Sequence, residues 1–232
     1  RGNKMSEKAK VKVRNLTKKF GDLLVLDDMS FDVEDGDLLC VVGPTGCGKT
    51  TFLNSLTKIY DITAGEILLN DEKVDSRKQN IAYIFQGDPT MPWLTVEENV
   101  RFGLDIKKVP EARKKEQVEK YLEIVGLTNY RKYYPKQLSA SMLQRVSIAR
   151  AFATEPELLL MDEPYGQLDI ELRFKLEDEL VKLWKLTKTT VLFITHNIEE
   201  AVYLGNKIMI LTNKPTTVKK TIVNDLQRPR DI

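Results

Sequence analysis

The strongest constraint on the fold is a short apolar run that leads directly into a glycine-rich loop. Leu38–Val42 is continuously apolar, which is typical of a strand buried on both faces. Residues 43–48 contain three glycines, and a helical pattern begins at Lys49. A helix that starts at such a loop directs its free N–H groups and its positive dipole end towards the loop. The chain therefore predicts an α/β fold built around an anion-binding turn.

The loop has the spacing of a phosphate-binding motif. Residues 43–50 read Gly-Pro-Thr-Gly-Cys-Gly-Lys-Thr, which fits the Walker A pattern G-x-x-x-x-G-K-[ST]. The glycines let successive backbone N–H groups point at phosphate oxygens. Lys49 adds a mobile cation, and Thr50 offers a hydroxyl to Mg²⁺. The spacing, with a strand before it and a helix after it, predicts a nucleoside triphosphate site.

A pair of carboxylates follows a second apolar run. Residues 158–161 are apolar, and Asp162 and Glu163 come directly after them. Adjacent residues of a strand point to opposite sides, so the two carboxylates can take different roles. We expect Asp162 to hold Mg²⁺, as a Walker B carboxylate does, and Glu163 to orient and deprotonate the attacking water.

The remaining patterns alternate between strand and helix. Strand patterns occur at residues 11–16, 23–33, 66–69, 81–85, 191–194, 207–211 and 217–223, and helical patterns at residues 95 to about 153 and 170–186. Gly21 and Asp22 form a predicted turn between the first two strands. We expect an α/β P-loop NTPase core with a mainly parallel sheet, an N-terminal antiparallel β subdomain and a helical insertion at about 87–155.

Composition limits the classes of partner. Lys and Arg total 36 against 34 Asp and Glu, a formal net charge of +2, which gives no electrostatic reason to expect nucleic acid. The spacing of Cys40 and Cys47 suggests a reduced, cytosolic compartment rather than a disulfide framework. No apolar stretch approaches the ~18–20 residues that span a bilayer, and we expect no signal peptide. Residues 1–4 precede Met5 and are expected to be a remnant outside the domain, which we place at 5–232 as a single nucleotide-binding domain.

These motifs resemble those of the ATPase subunits of ABC transporters, and the resemblance covers nearly the whole chain. Phe20 lies where that family has an aromatic residue stacked on adenine, and Gln86 resembles its glutamine loop. His196, the only histidine, resembles the switch histidine that contacts the γ-phosphate. Residues 166–169 resemble the loop that crosses the dimer interface. Residues 91–100 and 226–231 resemble the nitrate, sulfonate and taurine importer group.

The resemblance and the motifs together imply a set of site residues. The catalytic residues are Glu163, His196, Gln86 and Lys49, and the metal-binding residues are Thr50, Gln86 and Asp162. The nucleotide-binding residues are Phe20, Gly43, Pro44, Thr45, Gly46, Cys47, Gly48, Lys49, Thr50, Thr51, Ser139, Ala140, Ser141 and Asp169. The implied cofactors are ATP and Mg²⁺.

One motif departs from the family. Its signature reads Leu-Ser-Gly-Gly, whereas this chain has Ala140 and Ser141 after Leu138 and Ser139. In the family this motif, at the start of a helix in the helical subdomain, closes over the γ-phosphate of the opposite subunit. Ser141 could cap the helix and donate to phosphate, or its bulk could weaken dimer closure and slow hydrolysis.

The resemblance implies a homodimer, or a paired ATPase subunit, that works beneath separate transmembrane permease subunits. It would act on the cytoplasmic face of the membrane, indirectly served by a solute-binding protein, and without a nucleic acid partner. Two alternatives stay open. One is a regulatory subunit that binds ATP but hydrolyses little, because of the altered signature. The other is a soluble ATPase of this type acting in repair or translation.

Overall fold

The computed structural model describes residues 9–87, 90–166 and 168–230. The chain forms two compact units. The first combines the residues up to Ile81 with Lys188–Ile232, and the second is Ala82–Thr187. The second unit is wider than the helical insertion predicted at about 87–155, because it also includes a strand and a helix that follow residue 155.

An antiparallel sheet opens the first unit. Its strands are β1 (Ala9–Phe20), β2 (Leu23–Glu34), β4 (Ala64–Leu69) and β5 (Glu72–Lys73), in the order β2-β1-β4-β5. Alternate side chains of β1, such as Val11 and Val13, are fully buried. This alternation matches the predicted antiparallel pair, although the two strands extend beyond the predicted limits.

A second sheet in the same unit carries the phosphate loop. The strands β3 (Leu38–Val42), β8 (Thr190–Thr195) and β9 (Lys207–Leu211) are parallel, with β3 in the middle, and β10 (Val218–Val223) pairs antiparallel with β9. Every residue of β3 and β8 is buried, as the continuous apolar runs predicted. Val42 is in register with Thr195, so the two strands end side by side.

Two helices of the first unit follow these strand ends. Helix α1 (Lys49–Leu56) begins after the phosphate loop, and α6 (Ile198–Leu204) follows β8. Helix α1 ends at Leu56, because the backbone of Lys58 turns left-handed, with φ 57°. Asn197 caps α6 by accepting hydrogen bonds from two backbone N–H groups.

The second unit contains two neighbouring strands and four α-helices among its described residues. The strands are β6 (Ile81–Ile84), whose first residue belongs to the first unit, and β7 (Leu158–Asp162). The helices are α2 (Val96–Ile106), α3 (Glu111–Ile124), α4 (Ala140–Ala153) and α5 (Ile170–Thr187).

The long helical pattern predicted from residue 95 is three helices in the structure. Thr95 and Glu98 form a capping box at the start of α2, and Pro110 precedes α3. Gly126, with φ 70°, follows α3, and a glycine in this conformation commonly ends a helix. Helices α2, α3 and α4 pack against one another. No helix in the described ranges is both long enough and apolar enough to cross a membrane.

Candidate functional site

The phosphate loop is held in shape by its own lysine. Lys49 is 6% exposed, and its ammonium group donates to the carbonyl oxygens of Gly43 at 3.0 Å and Pro44 at 3.1 Å. The Cys47 N–H donates to the Pro44 carbonyl at 3.2 Å. The ammonium group therefore lies across the loop, where an incoming triphosphate can replace carbonyl oxygens as its partner.

Two glycines of the loop have backbone conformations that other residues rarely adopt. Gly46 has φ 75° and Gly48 has φ 113°. A Cβ atom on Gly46 would meet no atom within 4 Å, whereas a Cβ atom on Gly48 would lie 2.9 Å from Val25 Cγ1. Gly48 is therefore required both by its conformation and by close packing on β2.

Cys47 is the buried residue of the loop. Its side chain is 2% exposed, and its carbonyl oxygen accepts a hydrogen bond from the Thr216 hydroxyl. Burial raises the pKa of the Cys47 thiol, and the nearby Lys49 ammonium only partly opposes this effect. The thiol is thus neutral at pH 7 and turned into the protein.

His196 lies at the same end of the parallel strands as the first residues of the loop. It follows β8 directly, as the loop follows β3. Gly43, Thr45 and His196 line one open cavity of about 740 Å³. The structure therefore brings the predicted switch histidine together with the phosphate loop, at the carboxyl ends of adjacent parallel strands, where ligands bind in sheets of this kind.

Phe20 ends β1, where the resemblance places an adenine-stacking aromatic residue. Its side chain is 43% exposed, so part of the ring surface is available to a ligand. Thr50 is exposed and Thr51 half-buried at the first turn of α1. These three residues, with the loop and His196, all belong to the first unit.

The paired carboxylates belong to the second unit. Asp162 ends β7 and is 5% exposed, and the Tyr83 hydroxyl lies 3.5 Å from its Oδ2 atom. Glu163 has a left-handed backbone, with φ 44°. A left-handed residue directly after a strand turns the chain sharply, so that Glu163 is presented beside the strand end rather than along it. Such a conformation is uncommon for a residue with a side chain.

A small cavity places Glu163 beside the altered signature motif. The cavity, of about 110 Å³, is lined by Gly87, Ala140, Glu163 and their neighbours Leu143, Gln144, Pro164 and Leu168. Gln86 is exposed and immediately precedes Gly87, which has φ 97°. The structure thus brings the glutamine loop, the predicted base and Ala140 close together. Asp88 and Pro89, after Gln86, lie outside the described residues.

The two serines of the signature motif interact with each other. Ser139 caps α4 by accepting a hydrogen bond from the Met142 N–H at 3.4 Å. Its Oγ atom is 3.2 Å from the Oγ atom of Ser141. Ser139 and Ala140 are exposed, and Ser141 is half-buried. Of the two predicted roles for Ser141, the structure gives the capping role to Ser139 instead.

Asp169 lies at the start of α5. Its Oδ1 atom accepts a hydrogen bond from the Leu172 N–H at 3.0 Å. This contact makes Asp169 a helix cap, a role that sequence analysis did not assign to it. Gln167, in the same predicted interface loop, lies outside the described residues.

Sequence analysis also missed the contacts that hold these segments in place. Arg145 of α4 donates to Glu179 of α5 at 2.5 Å, and burial raises the pKa of Glu179 despite this contact. Asn99 is fully buried and bonds to the backbone of residues 91, 94 and 95. The only feature of the sequence that could have indicated this role of Asn99 was its position, as a polar residue, on the apolar face of a predicted helix.

Comparison with known proteins identifies the family. The profile of the family described as ABC transporter matches residues 26–166, which include the phosphate loop, the signature motif and both carboxylates. The chain belongs to this family. It is the ATP-binding and ATP-hydrolysing subunit of an ABC transporter, which confirms the resemblance found in the sequence.

Similar proteins extend over almost the whole ATPase chain. An uncharacterized ABC transporter ATP-binding protein of Methanocaldococcus jannaschii is 42% identical over 97% of this chain and 85% of its own length. The aliphatic sulfonates import ATP-binding protein SsuB of Bacillus thuringiensis subsp. konkukian is 41% identical over 93% of this chain and 84% of its own length.

Two solved structures support the fold. The cbiO1 protein of Clostridium perfringens, part of the ABC transporter complex cbiONQ, aligns with a TM-score of 0.84 over 94% of this chain and 90% of its own, at 22% identity. A dimeric ATP-binding cassette in a post-hydrolysis state with ADP and Pi aligns with a TM-score of 0.79 over 94% of this chain and all of its own, at 29% identity. The predicted fold class is thereby confirmed.

Proposed function

We propose that this ATPase powers an importer of small anions or organic solutes such as nitrate, sulfonate or taurine, with aliphatic sulfonates as the first class to test. Relatives about 41% identical carry the name of aliphatic sulfonate importers, which supports this choice. The observation that carries the ATPase site itself is the Lys49 ammonium group, seated across a glycine-rich loop at the start of α1.

Each predicted site residue of the first unit has a proposed role in binding ATP. The backbone of residues 43–51 and the Lys49 ammonium group hold the phosphates, and the dipole of α1 adds positive potential. Phe20 stacks on the base. His196, directly after the strand next to the one that leads into the loop, contacts the γ-phosphate. These groups supply charge stabilisation to phosphoryl transfer, which needs little covalent help from the protein.

In the second unit, Glu163 accepts the proton of the attacking water, and Gln86 positions that water. The Thr50 hydroxyl, the Asp162 carboxylate and the Gln86 amide oxygen are hard oxygen donors of the kind that Mg²⁺ prefers, so these residues would hold the ion. When bound, Mg²⁺ would neutralise charge on the phosphate oxygens. Among the described residues no group of three or more His, Cys, Asp or Glu side chains forms an alternative metal site.

The site is completed by a second copy of the chain or by a paired ATPase subunit. Ser139, Ala140 and Ser141 would close over the nucleotide bound to the other copy, and Asp169 would lie in the loop that crosses the interface. The exposed Ser139 hydroxyl and the start of the 14-residue helix α4 provide donors for phosphate oxygens. In this scheme ATP draws the two copies together, and hydrolysis separates them.

The transporter partner is a membrane-spanning permease on whose cytoplasmic face this subunit acts as a peripheral protein. Phe85 and Trp93, on either side of the glutamine loop, are 49% and 70% exposed. Exposed aromatic side chains of this size are typical of protein interfaces. A solute-binding protein would deliver the anion to the permease, so this subunit would not contact the anion itself.

Lys49→Met tests the ATP site most simply. We expect it to abolish ATP binding, measured by calorimetry on the purified chain, because the loop loses its cation. Lys58→Met is the matched control, since Lys58 lies exposed just beyond α1. If Lys49→Met bound ATP as tightly as Lys58→Met, the proposed phosphate site would be wrong.

The altered signature motif favours a second candidate, a regulatory subunit that binds ATP with little hydrolysis. Ser141→Gly separates the two candidates through steady-state phosphate release. Similar release by the original chain and the variant supports the working ATPase. A large increase in the variant, with ATP binding unchanged, would support the regulatory subunit.

The proposed solute is tested with the permease. The complete transporter in liposomes should hydrolyse ATP faster when its solute-binding protein carries an aliphatic sulfonate. Stimulation by nitrate alone would move the assignment from sulfonates to another of the proposed solutes. Stimulation by an unrelated solute such as a sugar, with no response to nitrate, aliphatic sulfonates or taurine, would contradict the importer proposal.

A further inference from the structure

A cluster of two aromatic rings and one ammonium group surrounds the proposed base-stacking residue. The ring of Phe20 meets the ring of Tyr60 edge to face, with centroids 5.4 Å apart and planes at 89°. The Lys18 ammonium group lies over the Phe20 ring, 4.6 Å from its centroid, and 5.8 Å from the centroid of Tyr60. All three residues belong to the first unit.

The three separations place neither Lys18 nor Tyr60 on the second face of the Phe20 ring. If Tyr60 were stacked on the face of Phe20 opposite Lys18, the Tyr60 centroid would be farther from the ammonium group than from the Phe20 centroid by the full 4.6 Å that separates Lys18 from Phe20. Tyr60 is instead almost as close to Lys18 as to Phe20, so it lies towards the rim of the Phe20 ring. The ammonium group covers one face and Tyr60 contacts the rim. Since Phe20 is 43% exposed and neither group lies on the second face, that face can take a flat ligand.

The cluster is held by the backbone on both sides. The Lys18 ammonium group also donates to the Asp61 carbonyl at 2.5 Å. The Tyr60 N–H donates to the Asn54 carbonyl of α1 at 3.0 Å, and the Thr63 N–H donates to the Thr17 carbonyl of β1 at 2.8 Å. The segment after α1 is thereby tied both to β1 and to the helix that begins at the phosphate loop.

We propose that Lys18 and Tyr60 are positioning residues of the base subsite, and that together with Phe20 they form one platform for the base of the nucleotide. This inference rests on the proposed role of Phe20. The base stacks on the open face of Phe20, while Tyr60 and Lys18 fix the ring orientation before ATP arrives. A platform fixed in advance binds more tightly because less side-chain freedom is lost on binding.

Stacking on such a platform does not involve the phosphates, so a ligand without a base provides the test. The probes are the β,γ-imido analogue of ATP and inorganic tripolyphosphate, titrated by calorimetry into the full chain. Tyr60→Ala and Lys18→Met should each weaken binding of the ATP analogue by ~3–10-fold, part of the ~1–3 kcal/mol that stacking on an aromatic ring contributes per base. Neither variant should change the affinity for tripolyphosphate.

Two control variants separate the platform from general effects. Tyr60→Phe keeps the ring and should bind the analogue as the original chain does. Lys19→Met removes an exposed charge at the next position along β1 and should also leave both affinities unchanged. The thermal unfolding temperature of each variant shows whether a variant that loses affinity has also lost its folded structure.

The outcomes distinguish this inference from the function on which it rests. If Tyr60→Ala and Lys18→Met bind the analogue normally while Phe20→Ala does not, the platform is wrong and the role of Phe20 stands. Equal losses for the analogue and tripolyphosphate would also overturn the platform, because the variants would then act on the phosphate loop. If Phe20→Ala also binds normally, the proposed base site fails as well.

Discussion

Replacing Gly48 by alanine tests how the phosphate loop depends on its packing, and Gly46 provides a matched comparison. Both residues have positive φ, 113° and 75°, so both alanine variants incur a backbone penalty. That penalty is about 1–2 kcal/mol for a left-handed residue, and it is offset by about 0.4–1 kcal/mol because alanine restricts the unfolded chain. Gly46→Ala should therefore lower the free energy of unfolding by roughly 0–1.6 kcal/mol.

Gly48→Ala incurs a further cost. Its Cβ atom would lie 2.9 Å from Val25 Cγ1, well inside the ~3.5–4.0 Å of normal carbon contacts. Val25 is 3% exposed and has little room to move, so overpacking should add about 1–3 kcal/mol. Displacement of Gly48 also tilts the N–H groups that would bind phosphate, so ATP affinity should fall more than in Gly46→Ala.

The assay is urea unfolding followed by tryptophan fluorescence, with ATP affinity measured on the same preparations. Gly48→Ala should have the lower unfolding free energy and the weaker ATP binding. Equal destabilisation in the two variants would refute the argument, because it would show that packing against Val25 contributes nothing. Destabilisation of Gly46→Ala beyond that of Gly48→Ala would refute it more strongly.

Three other predictions concern a buried thiol, a buried amide and a half-buried guanidinium group. Since burial raises the pKa of the Cys47 thiol, iodoacetamide should alkylate it slowly at pH 7 and much faster above pH 9, and rapid alkylation at pH 7 would contradict its burial. The contribution of this thiol to the free energy of unfolding is complete below the pKa of the thiol in the unfolded chain, and it is lost as pH rises through the pKa in the folded chain. Asn99→Leu should lower the unfolding free energy by about 2–4 kcal/mol, because several backbone groups would lose their hydrogen-bond partner. The same substitution at the exposed Asn129 should change the unfolding free energy by less than ~0.5 kcal/mol. Arg230→Ala should cost about 1–3 kcal/mol and speed amide exchange in α6, because its guanidinium group donates to the carbonyl oxygens at the end of that helix; unchanged exchange would show that the tail does not support α6.

The sequence predicts those parts of the structure that depend on residues close to one another along the chain. The strand, loop and helix around Lys49 are encoded within 20 residues, so the apolar run, the glycines and the helical pattern predict them directly. The family resemblance and the fold class follow from such local motifs, and comparison confirms both. The long helical pattern after residue 95 was less informative, because helical periodicity alone does not show where one helix ends and another begins.

Contacts between distant residues could not be predicted in this way. Phe20 and Tyr60 are 40 positions apart, and no periodic pattern relates the end of a strand to the segment after a helix. The pair Arg145 and Glu179 joins two helices through side chains that read as ordinary surface charges in the sequence. Asp169 was assigned to an interface from family resemblance, while its role as a helix cap depends on the backbone geometry of α5.

The central claim is that the chain hydrolyses ATP in a site completed by a second copy, with Glu163 as the base. The most direct measurement is phosphate release per chain as a function of chain concentration, for the original chain and for Glu163→Gln. The account predicts a rate per chain that rises with concentration, and a loss of ~100-fold or more in Glu163→Gln with ATP binding retained. A rate per chain that is independent of concentration, together with normal turnover in Glu163→Gln, would contradict it.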